Sequence, residues 1–375
     1  MKPYIIIIPF LLLFVSCNKK SNHFAKEIIG DWKFEAKAFN EQYYKKNKLP
    51  APPLIGALGY SFYEDGTYEC KNRKYYVPAE KNNEYGDWAY YSGKSKYLIE
   101  DDSLKLQNPI NKKWECYKLT DISSDTLAIK FGDNLDKKFS RVNYTKTDES
   151  NIDQIIISSS GCYGTCPIEA LSIDSKGNVL YMGTEYSVKE GFYSAQISVD
   201  KFYNILTGFE KAAFENLDDH YYADHTDDET IDITFIKNNT IIKTIEDYGQ
   251  AAPSEFIWAY LPLRHLIEEL KYKNKTVQFE NFPVGQIYFR KDKTEGKITK
   301  SEMFLLFTEI QKAKITDTFF DKKFSLKIFF DSHIQAIYTD GRYFSLPDNG
   351  DKALDLGYNF FERNNLENRL EHVKE

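Results

Sequence analysis

The sequence lacks the features of a nucleic-acid-binding, fibrous or wholly membrane-embedded protein. It has 375 residues, with 49 Lys and Arg against 56 Asp and Glu, so the formal net charge is -7. A general nucleic-acid binder needs basic patches that replace counterions, and this balance argues against that class. There is no collagen period, heptad run or Pro/Ser tract. With 28% charged and 42% hydrophobic residues, the chain is neither disordered nor membrane-embedded as a whole.

Motifs for catalysis are also missing. The chain has no Gly-x-Ser-x-Gly, no glycine-rich phosphate loop, no EF-hand and no His-Glu-x-x-His. The run Ser158-Ser159-Ser160 has no identifiable base, and His265 and His333 stand in apolar surroundings typical of structural histidines. We therefore expect a protein that is not an enzyme and that needs no cofactor.

The first sixteen residues are typical of a lipoprotein signal peptide. Ile5 to Val15 is an apolar run interrupted only by Pro9. It is too short to cross the roughly 30 Å of hydrocarbon in a bilayer and fits a signal-peptide core. Phe14-Val15-Ser16-Cys17 resembles a bacterial lipobox, which implies cleavage before Cys17 and acylation of that residue. An ordinary secretory signal with an accidental cysteine is the alternative.

The residues after Cys17 bear on where the anchored protein faces. In Bacteroidetes-type lipoproteins, which this N-terminus resembles, acidic residues just after the cysteine are similar to a surface-export signal. Here Lys19 and Lys20 stand in their place. We therefore predict an outer-membrane lipoprotein that is held to the lipid bilayer through Cys17 and faces the periplasm.

Composition shifts and turn signals divide the chain into five segments. A prior of about 150 residues per domain predicts two or three folded domains. The predicted segments are the signal peptide (1–16), the lipidated cysteine and tether (17–25), a β-barrel (26–146), an α+β domain (153–273) and an α+β C-terminal segment (277–375).

The first folded segment has short strands at even spacing, which is typical of an antiparallel barrel. Its Gly30-Asp31-Trp32 start, Asp65-Gly66-Thr67-Tyr68 turn and second Gly86-Asp87-Trp88 resemble the lipocalin-like domain of bacterial lipoproteins. The resemblance implies that Trp32 packs under the barrel core and that the barrel interior is a site for a small apolar ligand. The insertion from Phe39 to Gly59 departs from this pattern and would lie over the barrel mouth.

The remaining segments alternate hairpins with helices and predict an α+β region. Cys162-Tyr163-Gly164-Thr165-Cys166-Pro167 and the turn at Lys176 to Val179 resemble an uncharacterised bacterial secreted domain, for which no activity is established. Segment 277–375 looks like a degenerate copy of the second half of segment 153–273. It has a capping box at Thr299 to Glu302 and a final helix predicted from Leu354 to Leu370. If the copy is real, the two segments form one pseudo-symmetric unit.

Four cysteines remain after Cys17, and an even number in an oxidising compartment predicts two disulfides. Three pairings are possible. The domain boundaries favour Cys70 with Cys116 and Cys162 with Cys166. On the chain-entropy model the first would contribute about 4 kcal/mol and the second about 2 kcal/mol, because its loop is short.

The Cys162–Cys166 pair allows a second interpretation. Cys-x-x-x-Cys-Pro is similar to the motif of Sco-type copper chaperones, and soft thiolates suit Cu(I). In that family the motif begins a helix of a thioredoxin fold, whereas a β-hairpin pattern follows it here. A local staple is therefore favoured over copper binding or thiol exchange.

An acidic, histidine-containing cluster runs from Asp218 to Glu229. His220, Asp224 and His225 are its candidate metal ligands. Their spacing matches no EF-hand and no zinc helix, so a solvated loop is favoured. The sequence as a whole predicts a membrane-anchored binding module. It would bind a small apolar ligand in the barrel or a protein partner at the α+β region, with a copper or thiol-redox protein as the alternative.

Overall fold

The computed structural model describes residues 23–48, 57–77, 87–130, 136–144, 150–278, 287–329, 334–345 and 352–373. The chain divides into two compact units, one ending at Tyr144 and one beginning at Thr145. Several predicted features lie outside the described residues: the signal peptide, Cys17, tether residues 18–22, His333 and residues 49–56 of the insertion between Phe39 and Gly59. No helix among the described residues is long and apolar enough to span a membrane.

The first unit is a closed antiparallel barrel of eight strands, in the order β1-β10-β9-β8-β7-β6-β3-β2. Two further strands, β4 and β5, form a separate ribbon, and helix α1 (Ala36–Asn47) follows β1. The strands are β1 (Gly30–Phe34), β2 (Gly59–Phe62), β3 (Thr67–Cys70), β4 (Lys74–Val77), β5 (Asp87–Tyr90), β6 (Ser95–Glu100), β7 (Ser103–Gln107), β8 (Trp114–Ile122), β9 (Thr126–Lys130) and β10 (Asp136–Arg141). The predicted barrel is confirmed. Strand β5, from the second Gly-Asp-Trp motif, pairs with β4 and lies outside the barrel sheet.

The Asp-Gly signal forms the tight turn between β2 and β3. Asp65 accepts hydrogen bonds from the backbone N–H and the hydroxyl of Thr67. Gly66 has φ +75°, a left-handed conformation that glycine adopts without a side-chain clash. The turn sets the register, so that Tyr68 and Cys70 point into the barrel on alternate positions of β3.

Aromatic rings fill the barrel interior. Tyr60 and Phe139 have ring centroids 5.5 Å apart, and Phe62 and Tyr97 are 5.1 Å apart in an edge-on arrangement. Phe34 lies 5.5 Å from Phe139. All five side chains are buried. Rings at these distances and tilts pack favourably, and they occupy the described part of the barrel interior.

Trp32 and Arg141 close one end of the barrel. Trp32 is fully buried and donates from Nε1 to the carbonyl of Ile28 at 2.7 Å. The guanidinium of Arg141 lies 4.2 Å from the Trp32 ring centroid and donates to the carbonyls of Glu27 and Ile29. Arg141 thus joins the last barrel strand to the segment before the first.

The second unit contains two eight-stranded sheets. Sheet I has the order β15-β17-β16-β11-β12-β13-β14-β18 and carries helices α2 (Val199–Lys211) and α3 (Ser254–Glu269). Its strands are β11 (Gln154–Ser159), β12 (Glu169–Asp174), β13 (Asn178–Gly183), β14 (Gly191–Gln196), β15 (His220–Tyr222), β16 (Thr230–Lys237), β17 (Thr240–Tyr248) and β18 (Lys273–Asn274). A short 3₁₀ helix covers Phe214–Asn216.

Sheet II has the order β21-β25-β24-β23-β22-β19-β20-β26. Its strands are β19 (Ile287–Lys291), β20 (Thr294–Ile298), β21 (Lys314–Thr316), β22 (Phe324–Phe329), β23 (Ile334–Thr339), β24 (Tyr343–Ser345), β25 (Ala353–Asp355) and β26 (Glu371–His372). Helix α4 (Lys300–Ile310) follows β20, and a short helix α5 (Phe360–Arg363) and a 3₁₀ helix (Leu366–Arg369) precede β26.

Helix α4 is the central layer between the two sheets. It begins with the predicted capping box, in which Thr299 and Glu302 exchange hydrogen bonds with each other's backbone N–H. Phe304 and Phe307 are buried in one core with Ile156 of sheet I and Phe289 of sheet II. A helix that is buried on all sides needs apolar residues on all sides, and α4 has them. The packing of segments two and three as one unit follows from this helix.

The two sheets share a series of elements along the chain, which is the order named by the half-repeat prediction. In sheet I the hairpin β13–β14 precedes helix α2, edge strand β15 and hairpin β16–β17. In sheet II the hairpin β19–β20 precedes helix α4, edge strand β21 and hairpin β22–β23. The spatial orders differ in two places. Strands β11 and β12 lie between β13 and β16, whereas β19 pairs directly with β22. Strands β24 and β25 lie between β23 and β21, whereas β17 pairs directly with β15. Hairpin β11–β12, which flanks the two cysteines, is the addition in sheet I.

The predicted final helix from Leu354 to Leu370 is wrong. Ala353–Asp355 forms β25, and only two short helical turns follow it. Gly357 has φ +78° and Asn365 has φ +52°, and both left-handed positions interrupt a continuous helix. The apolar residues Phe360, Phe361 and Leu366 are buried all the same, because each short turn packs separately on sheet II.

Candidate functional site

Cys162 and Cys166 form a disulfide in the loop between β11 and β12. Their Cα atoms are 5.5 Å apart, within the usual range of 4.4–6.8 Å. Gly164, with φ +156°, lies at the centre of the turn between them. The structure thus contains the local staple, and copper binding or thiol exchange at these residues stays a prediction.

The predicted Cys70–Cys116 disulfide is wrong in this structure, where both residues are free thiols. Strands β6 and β7 lie between their strands, β3 and β8, in the barrel. Strands are spaced about 4.7–4.9 Å apart, so three spacings exceed what a disulfide spans. Cys70 also points into the barrel, where burial raises the pKa of its thiol to about 12, whereas Cys116 is exposed.

The two sequence clusters that were considered separately lie next to each other at one end of sheet I. The backbone N–H of Tyr163 in the disulfide loop donates to the carbonyl of Asp227 in the acidic loop at 3.4 Å. Thr230 N–H donates to Ser160 Oγ at 2.7 Å, and Ile168 N–H donates to the carbonyl of Glu185 at 2.9 Å. Loops 160–168, 184–190 and 223–229 are therefore joined, and we call them together the stapled loop surface.

The three candidate metal ligands do not converge on one point. His220 Nδ1 lies 3.0 Å from Glu246 Oε1, while His225 Nε2 lies 3.2 Å from Asp228 Oδ2. Asp224 is exposed on the loop between them. Within the part of the chain that the structure describes, no group of three His, Cys, Asp or Glu side chains is placed to hold a metal ion.

A cleft of about 820 Å³ opens between the two sheets beyond the N-terminus of α4. We call it the inter-sheet cleft. Its size is within the range of small-molecule sites. Strands β15 and β17 of sheet I and strands β20 and β26 of sheet II supply most of its walls. Its polar and aromatic lining residues include His220, Glu246, Tyr288, Lys297, Glu302, Arg369 and His372.

Ion pairs join the two sides of the cleft. Lys297 of β20 contacts Glu246 of β17. Arg369 donates two hydrogen bonds to Glu302, at 2.8 and 2.9 Å, and Thr244 Oγ1 donates to Glu302 at 2.6 Å. Both carboxylates are buried. Burial lowers the pKa of Lys297, but Glu246 outweighs that effect, so the net shift is upward. Buried charges need such partners, and these pairs fix the cleft's shape.

A third buried carboxylate lies behind the cleft. Asp232 is directly opposite Glu246 in the β16–β17 register, and its Oδ2 accepts from the N–H of Lys300 at 3.0 Å. Asp232 Oδ1 has no hydrogen-bond partner among the described atoms. Burial first, and then the neighbouring Glu246, raise the pKa of Asp232 to about 7. Ser158 Oγ is 3.4 Å from Asp232, but it is buried, so it is not presented to a ligand in solution.

Sequence reasoning missed the residues of the cleft. Glu302 was recognised as a local helix cap, yet Arg369 also binds it from 67 residues away. Glu246 and Asp232 stand on strands in otherwise apolar alternation, and this was the signal available. A carboxylate on an inward-facing strand position predicts a buried partner, but the sequence does not say which one.

Comparison with known proteins places one domain within this chain. Residues 153–267 match the model of a domain of unknown function, DUF6438. This match covers sheet I from β11 to near the end of α3, including the disulfide loop and the acidic cluster. No curated protein and no solved structure matches the chain.

Proposed function

We propose that the protein is an outer-membrane lipoprotein, anchored through Cys17 on the periplasmic side, whose α+β unit binds a polar ligand in the inter-sheet cleft. The observation that carries the binding proposal is the cleft itself, about 820 Å³ in volume and lined by charged side chains. The lipobox-like Phe14-Val15-Ser16-Cys17 supports the anchor. The resemblance of the barrel to lipocalin-like domains and the Bacteroidetes-type N-terminus are consistent with both the lipid anchor and a binding role.

The barrel gives less support to a bound apolar ligand. Its described interior positions are occupied by packed rings, including Tyr60, Phe62 and Phe139. A barrel of eight strands is just wide enough to be filled by its own side chains. The inter-sheet cleft, by contrast, keeps polar groups around open space.

The polar lining of the cleft indicates what kind of ligand it would take. Lys297 and Arg369 are partly exposed at the wall, whereas their partners Glu246 and Glu302 are buried beneath them. Tyr288, His220 and His372 add exposed or partly exposed rings with polar edges. Convergent charged groups and a few rings are typical of sites for small, charged molecules.

The cleft is tested with Tyr288→Ala and the matched control Tyr338→Ala. The two tyrosines are 40% and 39% exposed, both on strands of sheet II, but only Tyr288 is among the residues lining the cleft. The full mature chain is screened by thermal shift against amino acids, dipeptides, polyamines and sugar phosphates. We expect the screen to find a ligand that stabilises the native chain. The affinity of this ligand should be about tenfold weaker for Tyr288→Ala and unchanged for Tyr338→Ala. A ligand affected equally by both, or by neither, contradicts binding in the cleft.

The anchor is tested separately by Cys17→Ala in a bacterial host supplied with labelled palmitate. The native chain should incorporate the label and sediment with outer membranes. Cys17→Ala should lose the label. Label that persists in the variant, or a soluble unlabelled native chain, would refute the lipid anchor without affecting the cleft.

A further inference from the structure

The stapled loop surface has no place in ligand binding at the cleft, yet it concentrates exposed aromatic and acidic residues. We propose that it is a docking surface for a protein partner that presents a Lys- and Arg-rich segment. The proposal rests on three independent features of loops 160–168, 184–190 and 223–229: their mutual bonding, their exposed rings and their charge.

The loops are held as one body. The disulfide closes loop 160–168. At the end of β11, Ser159 Oγ donates to the carbonyl of Pro167 in this loop at 2.6 Å. Thr184 N–H donates to the carbonyl of Ile168 at 2.9 Å, which fixes the neighbouring loop. On the other side, Arg264 makes a two-pronged contact with Glu229 at the end of the acidic loop. Loops held in this way lose little conformational entropy when a partner binds.

Exposed apolar side chains concentrate on these loops. Tyr163 is 89% exposed, Tyr186 is 60% exposed and Val188 is also exposed. Tyr163 lies between the two disulfide-bonded cysteines, so the disulfide constrains the loop that carries the most exposed tyrosine of the stapled loop surface. Single exposed apolar residues are ordinary, but several on connected loops at one end of a sheet indicate an interaction site. Tyrosine supplies large contact area with few rotatable bonds, as in other loop-built binding surfaces.

The charge of the same loops selects the partner. The acidic residues are Glu185, Glu190, Asp224, Asp227, Asp228 and Glu229, while Lys189 is the one Lys or Arg within the three ranges. Arg264 from helix α3 neutralises Glu229. His225 contacts Asp228. An acidic excess remains at the exposed positions. It attracts a basic protein segment and repels anionic lipid headgroups and nucleic acids.

The test is selection of 12-residue peptides from a random displayed library on the full mature chain. Selected peptides should carry net positive charge and an aromatic or aliphatic anchor. Their affinity should fall about tenfold in Tyr163→Ser/Tyr186→Ser, because both anchors are lost. Tyr44→Ser, at a tyrosine of similar exposure in α1 of the barrel unit, is the matched control and should leave affinity unchanged.

Charge is tested by Asp224→Asn/Asp227→Asn, two exposed positions in the acidic loop. This variant should weaken binding of the same peptides and reduce its salt dependence. Tyr288→Ala separates the surface from the cleft, since it should not affect these peptides. Failure to select any peptide, selection of neutral or acidic peptides, or equal binding to the Tyr163/Tyr186 variant would each overturn the proposal. Loss of binding in Tyr288→Ala alone would assign the peptides to the cleft.

Discussion

The barrel and the α+β unit differ in what they bury. Among the described residues, the buried polar side chains of the barrel are neutral: Ser61, Asn72, Ser95 and Asn108. The α+β unit buries five carboxylates: Glu169, Asp232, Glu246, Asp247 and Glu302. A barrel core of rings needs no partners for charge. A buried carboxylate needs a cation or several hydrogen-bond donors, and the folded unit is less stable when it supplies too few of them.

The comparison suggests how the two units divide their roles. The barrel holds its acidic groups near the surface, where Asp31 binds Lys71 at 3.2 Å and accepts from Tyr144 at 2.6 Å. The α+β unit places three of its buried acids, Asp232, Glu246 and Glu302, at the junction of the two sheets and the N-terminus of α4. Stability spent on buried charge is typical of functional regions, and the cleft and the unpaired Asp232 Oδ1 lie at this junction.

The largest expected effect tests the barrel side of the comparison. Trp32→Ala should reduce the free energy of unfolding of the barrel by about 3–5 kcal/mol, because it leaves a large cavity and removes the ring under Arg141. Denaturant unfolding followed by near-UV circular dichroism and hydrogen exchange measures it. Exchange in β11 and β16 should be unchanged. Trp258→Ala, at a buried tryptophan of α3, is the reciprocal control and should affect the α+β unit instead.

The next prediction concerns pH. The folded-state pKa of Asp232 is raised to about 7 from an ordinary value of 3.8, so the native state binds a proton that the unfolded state has already lost. Stability of the α+β unit should therefore fall as the pH rises from about 4 to 7, by an amount on the order of 2–4 kcal/mol. Asp232→Asn should flatten this slope, which urea unfolding between pH 4 and 8 would show.

Asp31 of the barrel provides a control of opposite sign. Burial raises its pKa, but Lys71 and the hydrogen bonds from Ser61 and Tyr144 outweigh burial and lower it overall. Its contribution is present above about pH 4 and lost as the pH falls below that value. Asp31→Asn should thus destabilise the barrel at pH 7 and much less at pH 3. Equal slopes in the two variants would refute the contrast between the units.

The smallest effect concerns the staple. Cys162→Ser/Cys166→Ser should cost about 2 kcal/mol, because the closed loop is short. The loss should be confined to the α+β unit, with faster hydrogen exchange in loops 160–168 and 184–190. Cys70→Ser/Cys116→Ser is the comparison, and oxidant or reductant should not change the stability difference between that variant and the native chain. A stability difference that depends on oxidant or reductant would show that Cys70 and Cys116 form a disulfide after all.

Local patterns in the sequence determined much of the fold. The Asp65-Gly66 turn and the Thr299–Glu302 capping box form where predicted, because a few neighbouring residues suffice to set each one. The helix predicted from Leu354 to Leu370 failed because the apolar spacing there is satisfied by separate short turns packed on a sheet.

The sequence by itself determined the antiparallel barrel, the α+β order and the proximity of Cys162 to Cys166, while the lipoprotein-type N-terminus stays a prediction. Only the tertiary structure decided which distant groups meet. Examples are Arg369 with Glu302, Asp232 opposite Glu246 and the disulfide loop beside the acidic loop. It also decided that Cys70 and Cys116 stay apart. The physical reason is that turns and caps are short-range, whereas ion pairs, clefts and cysteine pairing depend on strand order, and strand order is set by packing of the whole core.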